Sequence, residues 1–185
     1  MINKKSLNIA YAKKKWGMSM RLVRPSIEWK NEHEDYMNEW DESRMTPSSF
    51  NLDGFENYEA YLEALQNRER GDGKWVPCSN YFLVDENDRV IAMVDIRHEL
   101  TDYLRNVGGH IGYGVRPVER RKGHATWILA EALKKCDELG IRRVLVTCNA
   151  DNIGSTKTIL KNGGVEDKSF IEEDGTVIRR FWIER

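Results

Sequence analysis

A change of hydrophobic period in the second half of the chain constrains the fold most. Across residues 124–139, Ile128, Leu129, Ala132, Leu133, Cys136 and Leu139 recur at helical spacing on one face, and Gly140 supplies the stop. Strand-like sequence stands on both sides of this helix, at residues 107–115 and 144–147. Just upstream, Tyr81-Phe82-Leu83-Val84, the turn Glu86-Asn87-Asp88 and residues 90–96 read as a β-hairpin. A one-faced helix set between strands, with no internal repeat or low-complexity tract nearby, has to lay that face on a sheet.

The remaining segments extend this pattern. Arg21-Leu22-Val23-Arg24 reads as a short strand ended by Pro25, and Ser26 as the cap of a helix over residues 28–44 that carries Trp29, Tyr36, Met37 and Trp40. A polar loop, residues 45–54, leads to a second helix through Tyr58, Tyr61, Leu62 and Leu65, ended by Gly71 and Gly73. After the long helix come a short one at residues 152–162, stopped by Gly163-Gly164, and a strand pair around Asp174-Gly175 ending in Phe181-Trp182-Ile183. The order β-α-α-β-β-β-α-β-α-β-β predicts an α/β (α+β) fold, a single mixed, mostly antiparallel sheet of about seven strands flanked by about four helices. A chain of 185 residues that is 40% hydrophobic suits one domain, residues 21–185, preceded by a basic tail, residues 1–20, with Lys4, Lys5, Lys13, Lys14 and Lys15.

Charge and cysteine usage narrow the function. Lys plus Arg (29) nearly balance Asp plus Glu (30), for a net charge of -1, so no global field draws the chain to nucleic acid or to an anionic membrane. The apolar run at residues 7–12 is too short for a signal-peptide core or a membrane span. Cys78, Cys136 and Cys148 match neither a disulfide framework nor metal-ligand spacing, which points to a reduced, cytoplasmic setting and no metal.

Between the glycine-bearing strand and the long helix lies Arg120-Arg121-Lys122-Gly123-His124-Ala125. Backbone N–H groups at a helix start have no intrahelical partner and sit at the positive end of the dipole, so this basic turn is an anion cradle. Gly123 lets the backbone approach a phosphate, and Ala125 leaves room beside it. Along the preceding strand Ile111, Tyr113 and Val115 share one face and His110, Gly112 and Gly114 the other. Its glycines indicate a bulge or a backbone that something approaches closely.

Arg120, Gly123 and Ala125 meet the motif Q/R-x-x-G-x-G/A, and with the element order the sequence resembles the GNAT superfamily of N-acetyltransferases over residues 21–183. Ile96-Arg97-His98-Glu99 and residues 100–106 are similar to a bacterial subgroup of predicted acetyltransferases. The resemblance implies acetyl-CoA as co-substrate, its pyrophosphate on residues 120–125 and its pantetheine arm in a gap between the strands flanking the long helix. It also implies that Val115 pairs with the pantetheine amides and that Asn152 and Ser155 face that arm. Independently of any cofactor, Asp151 or Asn152 is also suited to cap the helix that follows.

Acetyl transfer to an amine of pKa about 10.4 needs a proton acceptor, a donor to the developing oxyanion and a proton for the departing thiolate. The backbone around Tyr113 suits the oxyanion, and no covalent enzyme intermediate is needed once amine and thioester are oriented. Many members of the family carry a tyrosine seven residues after the asparagine of Asn-x-x-Ser; that position is Ile159, which cannot donate. Candidates for the missing acid or base are His110, Tyr113, Glu99, His98 and Cys148, with core packing as the alternative for Tyr113 and an ion pair to Arg97 or Arg105 as the alternative for Glu99. The resemblance also implies an acceptor site built from the loop between the first two helices and from the last hairpin; in that loop Ser48, Ser49, Asn51 and Asp53 are either specificity residues or ordinary turn formers. The expected partners are acetyl-CoA and a primary amine, with no nucleic acid and no membrane, for a monomer or homodimer. The competing reading is an acyl-CoA sensor with the same fold and little turnover.

Overall fold

The computed structural model describes residues 20–40 and 46–185, so the lysines of the tail and the expected helix end at residues 41–44 lie outside the described residues. Seven strands occur among the described residues: β1 (Arg21–Val23), β2 (Cys78–Val84), β3 (Val90–Arg97), β4 (Ile111–Val115), β5 (Arg143–Asn149), β6 (Val165–Ile171) and β7 (Val177–Glu184). The α-helices among them are α1 (Lys30–Asn38), α2 (Tyr58–Arg70), α3 (His124–Glu138) and α4 (Ile153–Lys161). Fold class and element order are as expected, but the single sheet is divided into two antiparallel ones, β1-β2-β3-β4 and β5-β7-β6. The division falls between β4 and β5, the strands that α3 connects.

Local chemistry explains most element ends. Asn57 caps α2 by accepting from the Ala60 N–H at 2.8 Å, and Gly71 ends it with φ 87°. Past α3, Gly140 turns to φ 74°; its N–H reaches the Asp137 carbonyl at 3.1 Å while that of Ile141 reaches the Cys136 carbonyl at 2.9 Å, a Schellman closure. Two expectations need correction. The first helix opens as a 3-10 turn at Ile27–Trp29, and Ser26 makes no side-chain cap. The strand expected at residues 107–115 begins only at Ile111, because Leu104–Gly108 winds into a π turn. Its carbonyls bond side chains instead of a neighbouring strand: Thr147 Oγ1 donates to Val107, and Arg97 Nη1 to Gly108 and Gly109.

Both faces of the first sheet are covered, which is why every residue of β2 is buried. On one face Tyr81, Leu83, Val94, Ile96 and Ile111 pack with Ile128, Leu129, Ala132 and Leu133 of α3, and Val144, Val146, Phe181 and Ile183 of the second sheet join the same core. On the other face Phe82, Val84, Val90 and Met93 pack with Tyr36 of α1 and Phe50 of the α1–α2 loop. The sheets therefore share no strand ladder among the described residues and are joined in packing.

Candidate functional site

The gap between β4 and β5 is closed at one end and open along the rest. At the closed end the His110 N–H donates to the Leu145 carbonyl at 2.7 Å, and the Leu145 N–H donates to His110 Nδ1 at 2.9 Å. Gly109 permits this approach, since a Cβ there would lie 2.7 Å from the Leu145 oxygen. Further along, β4 bonds β3 through its even-numbered residues: Arg97 N–H reaches the His110 carbonyl, and Arg116 N–H the Ile91 carbonyl. Alternation then turns the backbone groups of Ile111, Tyr113 and Val115 toward β5, which belongs to the other sheet. Among the described residues no strand pairs with this edge, which faces a gap.

The basic turn sits at the open end. It runs through a 3-10 turn at Pro117–Glu119, Arg121 at φ 64° and Gly123 at φ 91°, and α3 starts with no side chain capping its first turn. The expected anion-binding residues divide by role. Arg120 folds back, its Nε donating to the Val115 carbonyl at 3.3 Å and its guanidinium lying 4.8 Å from the Trp40 ring. Lys122 pairs with Glu119 at 2.9 Å, and the ring of His124 turns inward to the same carboxylate at 3.5 Å. Burial lowers the His124 pKa, with Glu119 opposing. Arg121 is exposed and makes no ion pair among the described residues. Gly123 is the residue before α3 and Ala125 lies in its first turn.

Sequence reasoning missed Arg116, the residue that holds this turn. Its side chain is 0% exposed and donates to Asp35 at 2.7 Å, Glu39 at 2.5 Å and the Val90 carbonyl at 2.7 Å, with Glu32 at 3.5 Å. The three carboxylates occupy one face of the first helical segment at i, i+3 and i+7, a spacing visible in the sequence although its partner is not.

Across the gap, Tyr113 on β4 and Ser155 on α4 share a hydrogen bond of 2.6 Å. Burial pushes the Tyr113 phenol up to about 12, so the hydroxyl keeps its proton at neutral pH. Asn152 caps α4, accepting from the Ser155 N–H at 2.9 Å, so the helix-capping role holds. Ile159 is 0% exposed in the core, and Cys148 is buried beside Thr156 at 3.5 Å with its thiol pKa raised by burial.

On the opposite face the α1–α2 loop lies over β4. A Cβ at Gly114 would stand 1.9 Å from the Thr46 carbonyl oxygen, and one at Gly112 would stand 2.6 Å from Asp95 Oδ1 and 3.2 Å from Pro47. These glycines admit the loop. Ser49 anchors it, donating to Asp95 at 3.0 Å and accepting from Asn80 at 2.9 Å, while Asp95 also takes the Gly112 N–H at 2.9 Å and Arg97 at 3.2 Å. Asn51 and Asp53 make a turn, the Asp53 N–H reaching Asn51 Oδ1 at 3.0 Å, and both are exposed. His98 is tied to Ser79 at 2.8 Å.

His110 and Glu99 come together at a cleft of about 460 Å³ that Leu100, Arg105, Arg143 and Trp182 also line. His110 is 7% exposed, and burial, with Arg105 and Arg97 nearby, lowers its pKa to about 4. Its Nδ1 already accepts from Leu145, which fixes the neutral tautomer with hydrogen on Nε2 and assigns the ring to joining the sheets. Among the described residues no group of side chains is arranged to hold a metal ion, and no helix is long and apolar enough to cross a membrane.

The model of the Acetyltransferase (GNAT) family matches residues 29–163. Among solved structures, the chain is similar to an acetyltransferase of the GNAT family from Streptococcus pneumoniae, at 17% identity and TM-score 0.63 over 90% of this chain and 99% of that one. It is also similar to a dodecameric spermidine N-acetyltransferase from Vibrio cholerae, at 15% identity and TM-score 0.62 over 89% and 93%. At such identities the likeness concerns the fold. Among curated proteins none matches the sequence.

Proposed function

Because the chain belongs to the acetyltransferase (GNAT) family, we propose that residues 21–185 form an N-acetyltransferase domain that moves acetyl from acetyl-CoA to a primary amine by direct attack. The observation that carries this reading is the unpaired β4 edge running into an uncapped helix start. A pantetheine arm carries amides that match such an edge as an added strand would, and a pyrophosphate matches the first turn of α3. Arg121 and Lys122 add charge there, while Arg120 acts through Val115 and Trp40. Acetyl-CoA supplies the activated acyl group; the protein supplies placement and protons.

The ammonium first loses a proton, and Glu99 is the carboxylate that lines the cleft beside His110. The neutral nitrogen attacks the thioester carbon, and N–H groups along β4 near Tyr113 donate to the oxygen as charge collects there. As the C–S bond breaks, the thiolate takes a proton from Tyr113, held by Ser155; the new amide nitrogen releases its second proton to water, and the Tyr113 phenolate takes a proton back from water. The phenol thus comes from β4 where the usual α4 position holds Ile159.

The test is thiol release from acetyl-CoA in the presence of an amine panel, comparing the protein with Gly123→Glu, which sets a carboxylate at the phosphate position. Amine-dependent release that disappears in the variant supports the reading. Tight acetyl-CoA binding with no turnover across the panel would favour the acyl-CoA sensor.

A further inference from the structure

The cleft beside His110 has a charge arrangement that narrows the acceptor, granted the acetyltransferase reading. It opens on the face of β5 and β7 turned away from α3: Trp182 pairs with Leu145, while the neighbouring Val144 and Val146 point into the core that α3 covers. Two of its lining residues hold each other. The Arg143 guanidinium lies 4.3 Å over the Trp182 ring and bonds Glu184 at 3.0 Å, and the Trp182 indole N–H is engaged by Asp167 at 3.0 Å.

Glu99 and Arg105 differ from these. Both are exposed, both line the cleft, and among the described residues neither has an ion-pair partner; Arg97, the nearer arginine in sequence to Glu99, is committed to Asp95 at 3.2 Å. A carboxylate and a guanidinium that face one space without pairing present complementary charge to a ligand bearing both signs. Leu100 and the Trp182 ring add apolar surface, and the volume falls within the range of small-molecule sites. At its back the cleft reaches His110, which joins Leu145 at the closed end of the gap, one residue before the β4 edge begins at Ile111.

We propose that this cleft is the acceptor pocket and that it takes a free amino acid, with the ammonium on Glu99 and the carboxylate on the fork of Arg105. A polyamine would place a second cation against Arg105 and Arg143, so the pocket selects against it.

The test is calorimetric titration of the full chain, saturated with CoA, with the proteinogenic L-amino acids, their carboxamides and spermidine. At least one amino acid is expected to bind, about ten- to a hundredfold more tightly than its carboxamide. Arg105→Gln should reduce amino-acid affinity by a similar factor while leaving carboxamide and acetyl-CoA binding unchanged. Spermidine or carboxamides binding as well as amino acids, absence of amino-acid binding, or an unaffected Arg105→Gln would overturn the proposal. Amino-acid binding without acetyl transfer leaves the pocket standing and removes the transferase reading; transfer to spermidine with no amino-acid binding does the reverse.

Discussion

Replacing Gly114 by alanine sets a methyl group where a backbone carbonyl already lies. The Cβ would stand 1.9 Å from the Thr46 oxygen and 3.2 Å from the Trp40 ring, against an ordinary closest approach of 3.4 Å. The loop would have to retreat by roughly 1.5 Å, and it is held by Ser49 on Asp95 and by the fully buried Phe50. In an open strand position alanine stabilises by about 0.5–1 kcal/mol relative to glycine. Overpacking against a rigid neighbour costs about 1–3 kcal/mol. The net expectation is a loss of about 1–2 kcal/mol, which lowers the melting temperature of a chain this size by about 2–8 °C. Gly154→Ala is the internal contrast: its Cβ would meet only Asn152 Oδ1, at 3.6 Å, so stability should hold or rise. Thermal and urea unfolding of both variants decide the matter. If Gly114→Ala is as stable as the parent, the loop yields freely and its close approach does not account for the glycine.

Arg116→Met leaves Asp35 and Glu39 without their buried cation and should cost about 3 kcal/mol, near the lower end for a broken buried pair because Asp35 reaches solvent; Arg116→Lys as stable as the parent in urea would contradict the fork geometry. His33 and His110 are neutral in the native state, burial lowering each pKa to about 4, whereas both take a proton in the unfolded chain below about pH 6.5. Their contribution is complete above pH 6.5 and is lost as pH falls toward 4, on the order of 3 kcal/mol each. Urea midpoints should decline across that window, and a flat profile would refute the assignment. Tyr113→Phe should reduce kcat by about a hundredfold with acetyl-CoA affinity unchanged; an unaltered kcat would remove the phenol from the proton path.

The architecture was legible where local signals agree. The stripe from Ile128 to Cys136 and the stop at Gly140 gave α3 almost to the residue, and Asn152 read as a cap is a cap. The glycines of β4 indicate either a bulge or a backbone that something approaches closely; the approaching group, Thr46, belongs to a loop more than 60 residues away, and sequence spacing does not carry that contact. His110 stands out in the sequence as a lone histidine beside the glycine-bearing strand; only the Leu145 backbone at 2.7 and 2.9 Å reveals its task. Arg116 escaped for the same reason, since an arginine after a strand looks like a surface residue until Asp35 and Glu39 fold onto it. The sequence leaves an ion pair open for Glu99 and Arg105; among the described residues the two do not pair.

The shared core has a consequence for how the molecule can be taken apart. Val144, Val146, Phe181 and Ile183 find their apolar neighbours on α3, which lies before the division, while the first sheet needs those same residues to complete its covered face. Cutting the chain after Gly140 therefore yields two pieces that each carry an intact hydrogen-bond ladder and an unfinished interior. Neither fragment should fold alone, yet mixed together they have every contact needed to reassemble. The gap that would admit the pantetheine arm would then appear only as the two halves meet, so the site itself reports their reunion.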